Sequence, residues 1–249
     1  MIELPGHQIA YYSQKAFADK PMNEDALLIT NFSDVMVLAV ADGVGGSQQG
    51  AQAAKKVLEV IRTAKPEGNS LSACMHAVID AIEKANQALV SDSAYALTTL
   101  TLCLIKANNM RTIQVGDSGL LLCGQRGKLH YSVSTHSPIG QAVESGFLDE
   151  AEALQHPDLN VVNNVVGDAS MHIEIGPAVK IKKHDTLLLA SDGLFDNFLV
   201  DDVMSLVKHG SLVKVADRLT QSCQQQQHPI TQKAYNKDDD ISFILCRRR

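Results

Sequence analysis

Short aliphatic runs that stop at acidic turns alternate, along this chain, with longer segments whose apolar positions recur at helical spacing. Asp34 to Ala41 (DVMVLAVA) is a β-rich apolar run ending at Asp42-Gly43, which predicts a buried strand. Beyond the following glycines, Ala54, Val57, Leu58 and Ile61 share one helix face, with Lys55, Lys56, Glu59 and Arg62 on the other. Lys65-Pro66-Glu67-Gly68-Asn69 interrupts the pattern. Ser70 then caps a second predicted helix whose stripe is Leu71, Met75, Val78, Ile82, Ala85 and Leu89.

From Leu97 to Tyr131 the period becomes strand-like. TLTLCLIKA, MRTIQVG, GLLLCG and GKLHYSV are separated by Asn108-Asn109, Asp117-Ser118 and Gln125-Arg126-Gly127, turns that suit antiparallel hairpins. Residues 137–170 are polar and read as an excursion from the sheet. Thr186 to Ser191 is a second buried strand ending at Asp-Gly, and Asp201 to His209 and Leu212 to Cys223 read as helices. Gln224 through Lys237 reads as a loose loop, and Ile241 to Cys246 as a last strand. Strands clustered between helix pairs, without βαβ alternation, predict an α+β fold with antiparallel sheets. A length of 249 residues fits one large domain, with 137–170 as a small insertion.

Composition narrows the function. Hydrophobic residues make up 45% of the chain and aromatics only 4%, so aliphatic side chains must fill the core. The net charge of −6 is spread rather than blocked, which argues against a nucleic-acid or anionic-membrane surface. Nothing between Met1 and Ala10 reads as a signal peptide, and no apolar run is long enough to span a membrane. Cys74, Cys103, Cys123, Cys223 and Cys246 are scattered without a CxxC pair, as expected of buried thiols in a reducing, cytoplasmic compartment rather than of a zinc site. Arg247 to Arg249 read as a solvated tail.

The acids carry the chemistry. Asp42 and Asp192 each follow a strand and precede glycine, with Asp196 four residues beyond the second. Asp117 sits at a turn, Asp238-Asp239-Asp240 lead into the last strand, and Glu24-Asp25 lead into an early one, Ala26 to Thr30. Each alone is an ordinary turn or cap residue. Together they can converge at one edge of a sheet core, where carboxylates repel unless they are protonated or bridged by cations. Oxygen ligands select Mg²⁺ or Mn²⁺. Two ions sharing a carboxylate can hold a bridging hydroxide and neutralise a phosphate dianion, the two demands of phosphate-ester hydrolysis.

Asn23-Glu24-Asp25-Ala26, Ala41-Asp42-Gly43-Val44-Gly45-Gly46, Thr98-Thr99, Gly116-Asp117-Ser118, Ser191-Asp192-Gly193-Leu194-Phe195-Asp196 and Asp239-Asp240-Ile241-Ser242 occur in the order of the metal-dependent (type 2C, or PPM) protein phosphatases. The chain resembles that family over roughly residues 8 to 246, and Glu150 to Gly167 resembles the flap of its bacterial members. The resemblance implies two stacked antiparallel β-sheets flanked by helix pairs. It implies Asp42 as the carboxylate bridging two metal ions, a carbonyl from Gly43, and Asp192 and Asp239 as further ligands. Glu24 and Asp25 match an acidic pair that orders metal-bound waters. Asp117 and Asp196, with Asp192, match a third-metal site. The implied substrates are phosphoserine and phosphothreonine proteins, partners of a cognate Ser/Thr kinase, met by a monomeric enzyme.

Two positions depart from the pattern. Lys20 stands where the family's phosphate-gripping Arg is usual, keeping the charge but losing the bidentate fork. Val44 stands where some members carry His. His136, in Thr135-His136-Ser137, reads as structural. The competing reading, a catalytically weak relative that binds phosphoproteins or a kinase, expects loss of Asp42, Asp192 or Asp239, and all three are present.

Overall fold

The computed structural model describes residues 2–4, 6–17, 21–45, 48–92, 96–227 and 237–248. One antiparallel sheet runs in the order β1 (Ile2–Leu4), β2 (His7–Gln14), β14 (Ile241–Arg248), β13 (Thr186–Ala190), β9 (Gly119–Cys123) and β10 (Leu129–Ser132). The other runs β11 (Glu174–Ile175), β8 (Asn109–Val115), β7 (Leu100–Lys106), β4 (Val35–Ala41) and β3 (Ala26–Phe32), with β12 (Val179–Lys180) also paired to β8. A short ladder joins β5 (Gly43–Val44) to β6 (Leu97–Thr98).

Period two explains the layers. In β4, Val35, Val37, Ala39 and Ala41 face α1 (Gln48–Arg62) and α2 (Leu71–Val90), while Met36, Leu38 and Val40 face the opposite sheet. In β13, Leu188 and Ala190 pack under α6 (Val200–Val207) and α7 (Leu212–Gln227), and Leu187 and Leu189 enter the layer between the sheets. Strands covered on both faces lose the polar alternation, which is why they read as continuous aliphatic runs. The result is the expected helix–sheet–sheet–helix sandwich. Ser70 caps α2 by accepting from the Ala73 amide at 3.0 Å. Two short helices, α3 (Pro138–Glu144) and α4 (Glu150–Ala153), fall within residues 137–170, and α5 (Asp192–Phe195) is a single turn after β13. Among the described residues no helix is long and apolar enough to cross a membrane. All five cysteines are buried and unpaired with one another.

Three readings of the sequence are corrected. Asp117-Ser118 does not close a hairpin, because β8 belongs to one sheet and β9 to the other. The free edge of β8 is taken by β11 and β12, whereas β9 beside β13 buries Leu121 and Cys123 under the helices and Leu120 and Leu122 between the sheets. Gln224 to Gln227 continue α7 rather than loosening into a loop; glutamine favours helix, and Gln226 is buried. Arg247 is no tail residue. It lies in β14, 8% exposed, and donates to the Thr186 hydroxyl at 2.6 Å and the Val207 carbonyl at 3.2 Å.

Candidate active site

The acidic turns gather because of strand register. Ala26 pairs with Ala41, Leu100 with Val115, Ala190 with Gly119 and Ile241 with Gln14, so these strand ends all lie at the same end of the sandwich. Asp25 and Asp42 therefore emerge from one sheet, and Asp192 and Asp239 from the other. Asp117 lies on the crossover between them. A cleft of about 190 Å³ opens there, lined by Glu24, Asp42, Gly43, Thr99, Asp117, Asp192, Lys237 and Asp239, with Asn160 and Val162 reaching in from the 137–170 segment. Val44 also lines it. Lys20 lies outside the described residues.

The backbone around each acid is pinned. The Asp42 amide donates to Thr99 Oγ1 at 3.1 Å, and its carbonyl accepts from the Thr99 amide and from Thr98 Oγ1, both at 2.8 Å. This is what the Thr98-Thr99 motif does: it holds the turn after β4. Gly43 packs so closely on α1 that an added Cβ would sit 2.3 Å from the Gly50 carbonyl carbon. Asp240, only 2% exposed, accepts from the amides of Ala16 and Glu24 at 2.8 and 2.7 Å, tying two segments to the start of β14 and setting Glu24 at the cleft. Ser191 donates to Asp25 Oδ2 at 2.8 Å. Asp25 Oδ1 is buried without a hydrogen-bond partner among the described residues.

The electrostatics are those of crowded acids. Burial, joined by the charges of Asp192 and Asp25, pushes the Asp42 carboxyl well above its usual range. Asp25 and Asp117 rise to about 7, in both cases mainly by burial and then by neighbouring acids. Burial and the charge of Asp192 also raise Asp196. Asp192 is the exception. Burial would raise it, but the Lys237 ammonium and a hydrogen bond from Asp42 outweigh that and lower it. Among the described residues no three His, Cys, Asp or Glu side chains close into a ligand cage. The cluster is held instead by Lys237, whose Nζ lies 2.6 Å from Asp192, 2.7 Å from Asp196 and 3.2 Å from Asp239.

The profile of protein phosphatase 2C matches residues 14–235. The chain belongs to this family. As a protein phosphatase 2C it is of the serine/threonine class, like the serine/threonine phosphatase stp of Listeria welshimeri, 26% identical over 239 residues spanning 91% of this chain and 90% of that one. Solved structures of the family carry the same fold. Serine/threonine phosphatase Stp1 from Staphylococcus aureus superposes with a TM-score of 0.83 at 23% identity, over 97% of this chain and 95% of that one. The catalytic domain of PstP, solved in complex with two manganese ions, superposes with a TM-score of 0.75 at 20% identity, each chain covered to 97%.

Sequence reasoning found the acids of this phosphatase but passed over the residues that arrange them. Lys237 was read as the end of a loop, although a lone cation two residues before Asp239 is a visible signal. Asn197 was not singled out, yet its side chain fixes Lys237 by accepting from its amide at 2.9 Å and donating to its carbonyl at 2.8 Å. His136 has the structural role expected of it. Its Nδ1 accepts from the Gly116 amide at 3.1 Å and from Asn164 at 2.7 Å, so Nε2 carries the proton and donates to Glu174 at 3.1 Å. The ring thus anchors the turn that presents Asp117.

Proposed function

We propose that this protein hydrolyses phosphoserine and phosphothreonine esters in proteins, using divalent cations held by carboxylates at the sandwich end. One observation carries the reading: acids from five separate chain segments open into a single cleft, and the chain is a protein phosphatase 2C. The donor set fits hard cations. It is all oxygen, the carboxyls of Asp42 and Asp25 are raised by burial and then by neighbouring acids, and a buried carboxylate oxygen of Asp25 is left without a partner among the described residues. Asp42, the Gly43 carbonyl, Asp192 and Asp239 would hold two cations, with Glu24 and Asp25 ordering their water. Bound there, Mn²⁺ or Mg²⁺ supplies a water nucleophile of lowered pKa and neutralises the phosphate dianion. The PstP domain with its two manganese ions supports this choice of ion.

The chain's own residues do the rest. Asp42 and Asp192 line the cleft from opposite sheets. The Thr98 and Thr99 contacts fix the Asp42 backbone, so its carboxylate need not reorganise as charge develops. Asn160 and Val162 wall the cleft on the side of the 137–170 segment, where a phosphopeptide would lie. The substrates are then phosphoproteins, products of a Ser/Thr kinase. The test is phosphate release from phosphothreonine and phosphoserine peptides with Mn²⁺, with Mg²⁺ and with EDTA. Cation-dependent release abolished by EDTA is expected, and full activity in the metal-stripped protein would refute the reading.

A further inference from the structure

We propose that Lys237 is a built-in cation standing between Asp192 and Asp196, in place of the third divalent ion that the sequence pattern leads one to expect there. The inference rests on the carboxylate site being a cation site, and goes beyond it by fixing how many ions this chain takes.

The lysine is built into position. Its backbone is clamped on both sides by Asn197, a side chain only 2% exposed that also donates to the Gly193 carbonyl at 2.8 Å. From that anchor the side chain reaches the carboxylates and is itself 18% exposed. An ammonium has three donors and no acceptor. Here three carboxylate oxygens receive it, those of Asp192 and Asp196 at 2.6 and 2.7 Å and that of Asp239 at 3.2 Å. Such short, charge-assisted contacts from a desolvated ammonium are strong ones. Asp196 does not line the cleft; it meets the site through this ammonium and otherwise faces the apolar cavity beside α3 and α4. A divalent ion between Asp192 and Asp196 would have to displace the lysine into a position where its charge opposes the ion. The two closest contacts are to Asp192 and Asp196 and the contact to Asp239 is longer, so the lysine stands nearest the outer pair, while Asp42 and Gly43 line the cleft.

Through these three contacts the lysine supplies one positive charge where a third ion would supply two, and that charge does not depend on the ion concentration of the medium.

The test is a count of bound Mn²⁺ by equilibrium dialysis and elemental analysis up to millimolar free ion, on wild type, Lys237→Met and Lys237→Arg. Wild type should bind two ions per chain, Lys237→Met three, and Lys237→Arg two. Wild type binding three would overturn the inference while leaving the cation site intact, and so would Lys237→Met remaining at two. Wild type binding none would overturn the cation reading of the whole site and this inference with it. A second readout needs no bound ion: in EDTA, Lys237→Met should melt below wild type and then gain more from Mn²⁺ than wild type does. Equal melting of the two proteins in EDTA would show that the ammonium does not hold the acids together. The wild-type count stands as a test even if the Met variant folds poorly.

Discussion

Asn197→Ala isolates the clamp on Lys237. The wild-type side chain makes three neutral hydrogen bonds, donating to the Gly193 and Lys237 carbonyls at 2.8 Å each and accepting from the Lys237 amide at 2.9 Å. Each is worth about 1 kcal/mol net, and truncation leaves partners that only partly recover water, since Lys237 is half-buried; the loss is about 2–3 kcal/mol. For a chain of this size each kcal/mol moves Tm by about 2–4 °C, so the expected drop is about 4–12 °C. Asn197→Asp keeps the acceptor for the Lys237 amide but turns a carboxylate oxygen toward two carbonyls, so at neutral pH it should melt no higher than Asn197→Ala. Calorimetric melting in EDTA is the assay, because bound cations would mask the change. A fall of less than about 2 °C in Asn197→Ala would refute the claim that this side chain carries the segment leading into β14.

Asp42→Asn, Asp192→Asn and Asp239→Asn should each abolish most Mn²⁺-dependent phosphate release, but their melting in EDTA should diverge. At pH 7.5 Asp42→Asn should hold or raise Tm, because a carboxyl whose folded pKa is raised costs stability once pH exceeds its unfolded value; Asp192→Asn should lower Tm, because a depressed folded pKa contributes stability there. The same shift in both would contradict the charge assignment. Arg247→Met should lower the urea midpoint clearly, since it strands the Val207 and Gly210 carbonyls, whereas a solvated tail residue would leave it unchanged. Gly43→Ala should reduce both stability and activity by forcing the Asp42 turn away from α1, and a fully active, equally stable variant would contradict the 2.3 Å approach to Gly50.

Local pattern carried the layers and the acids but not their connections. The β4 run, the α2 stripe and the Ser70 cap were legible because period and capping are written in neighbouring residues. Asp42 and Asp192 stood out because a strand that stops at Asp-Gly is itself a local signal. Which sheet β9 joins was not legible: a turn between two apolar runs looks the same whether the chain returns beside its neighbour or crosses to the facing layer. Arg247 was misread because three arginines at a chain end match a solvated tail, and only the Thr186 hydroxyl and the Val207 and Gly210 carbonyls make one of them a core residue. The roles of Lys237 and Asn197 depend on residues 40 positions apart meeting, a fact that spacing along the chain does not contain.

The acids reach the cleft from both sheets, and what separates the two groups is the aliphatic layer of Leu38, Val40, Leu120, Leu189 and Ile244. That layer works as the jaw of a calliper. Its thickness sets the bite between Asp42 and Asp192, so enlarging or trimming one of these side chains changes the opening without touching a carboxylate. Close-packed interiors respond to single methylenes. Changes in this layer can therefore alter the gap between the two groups of acids while every acidic turn stays the same.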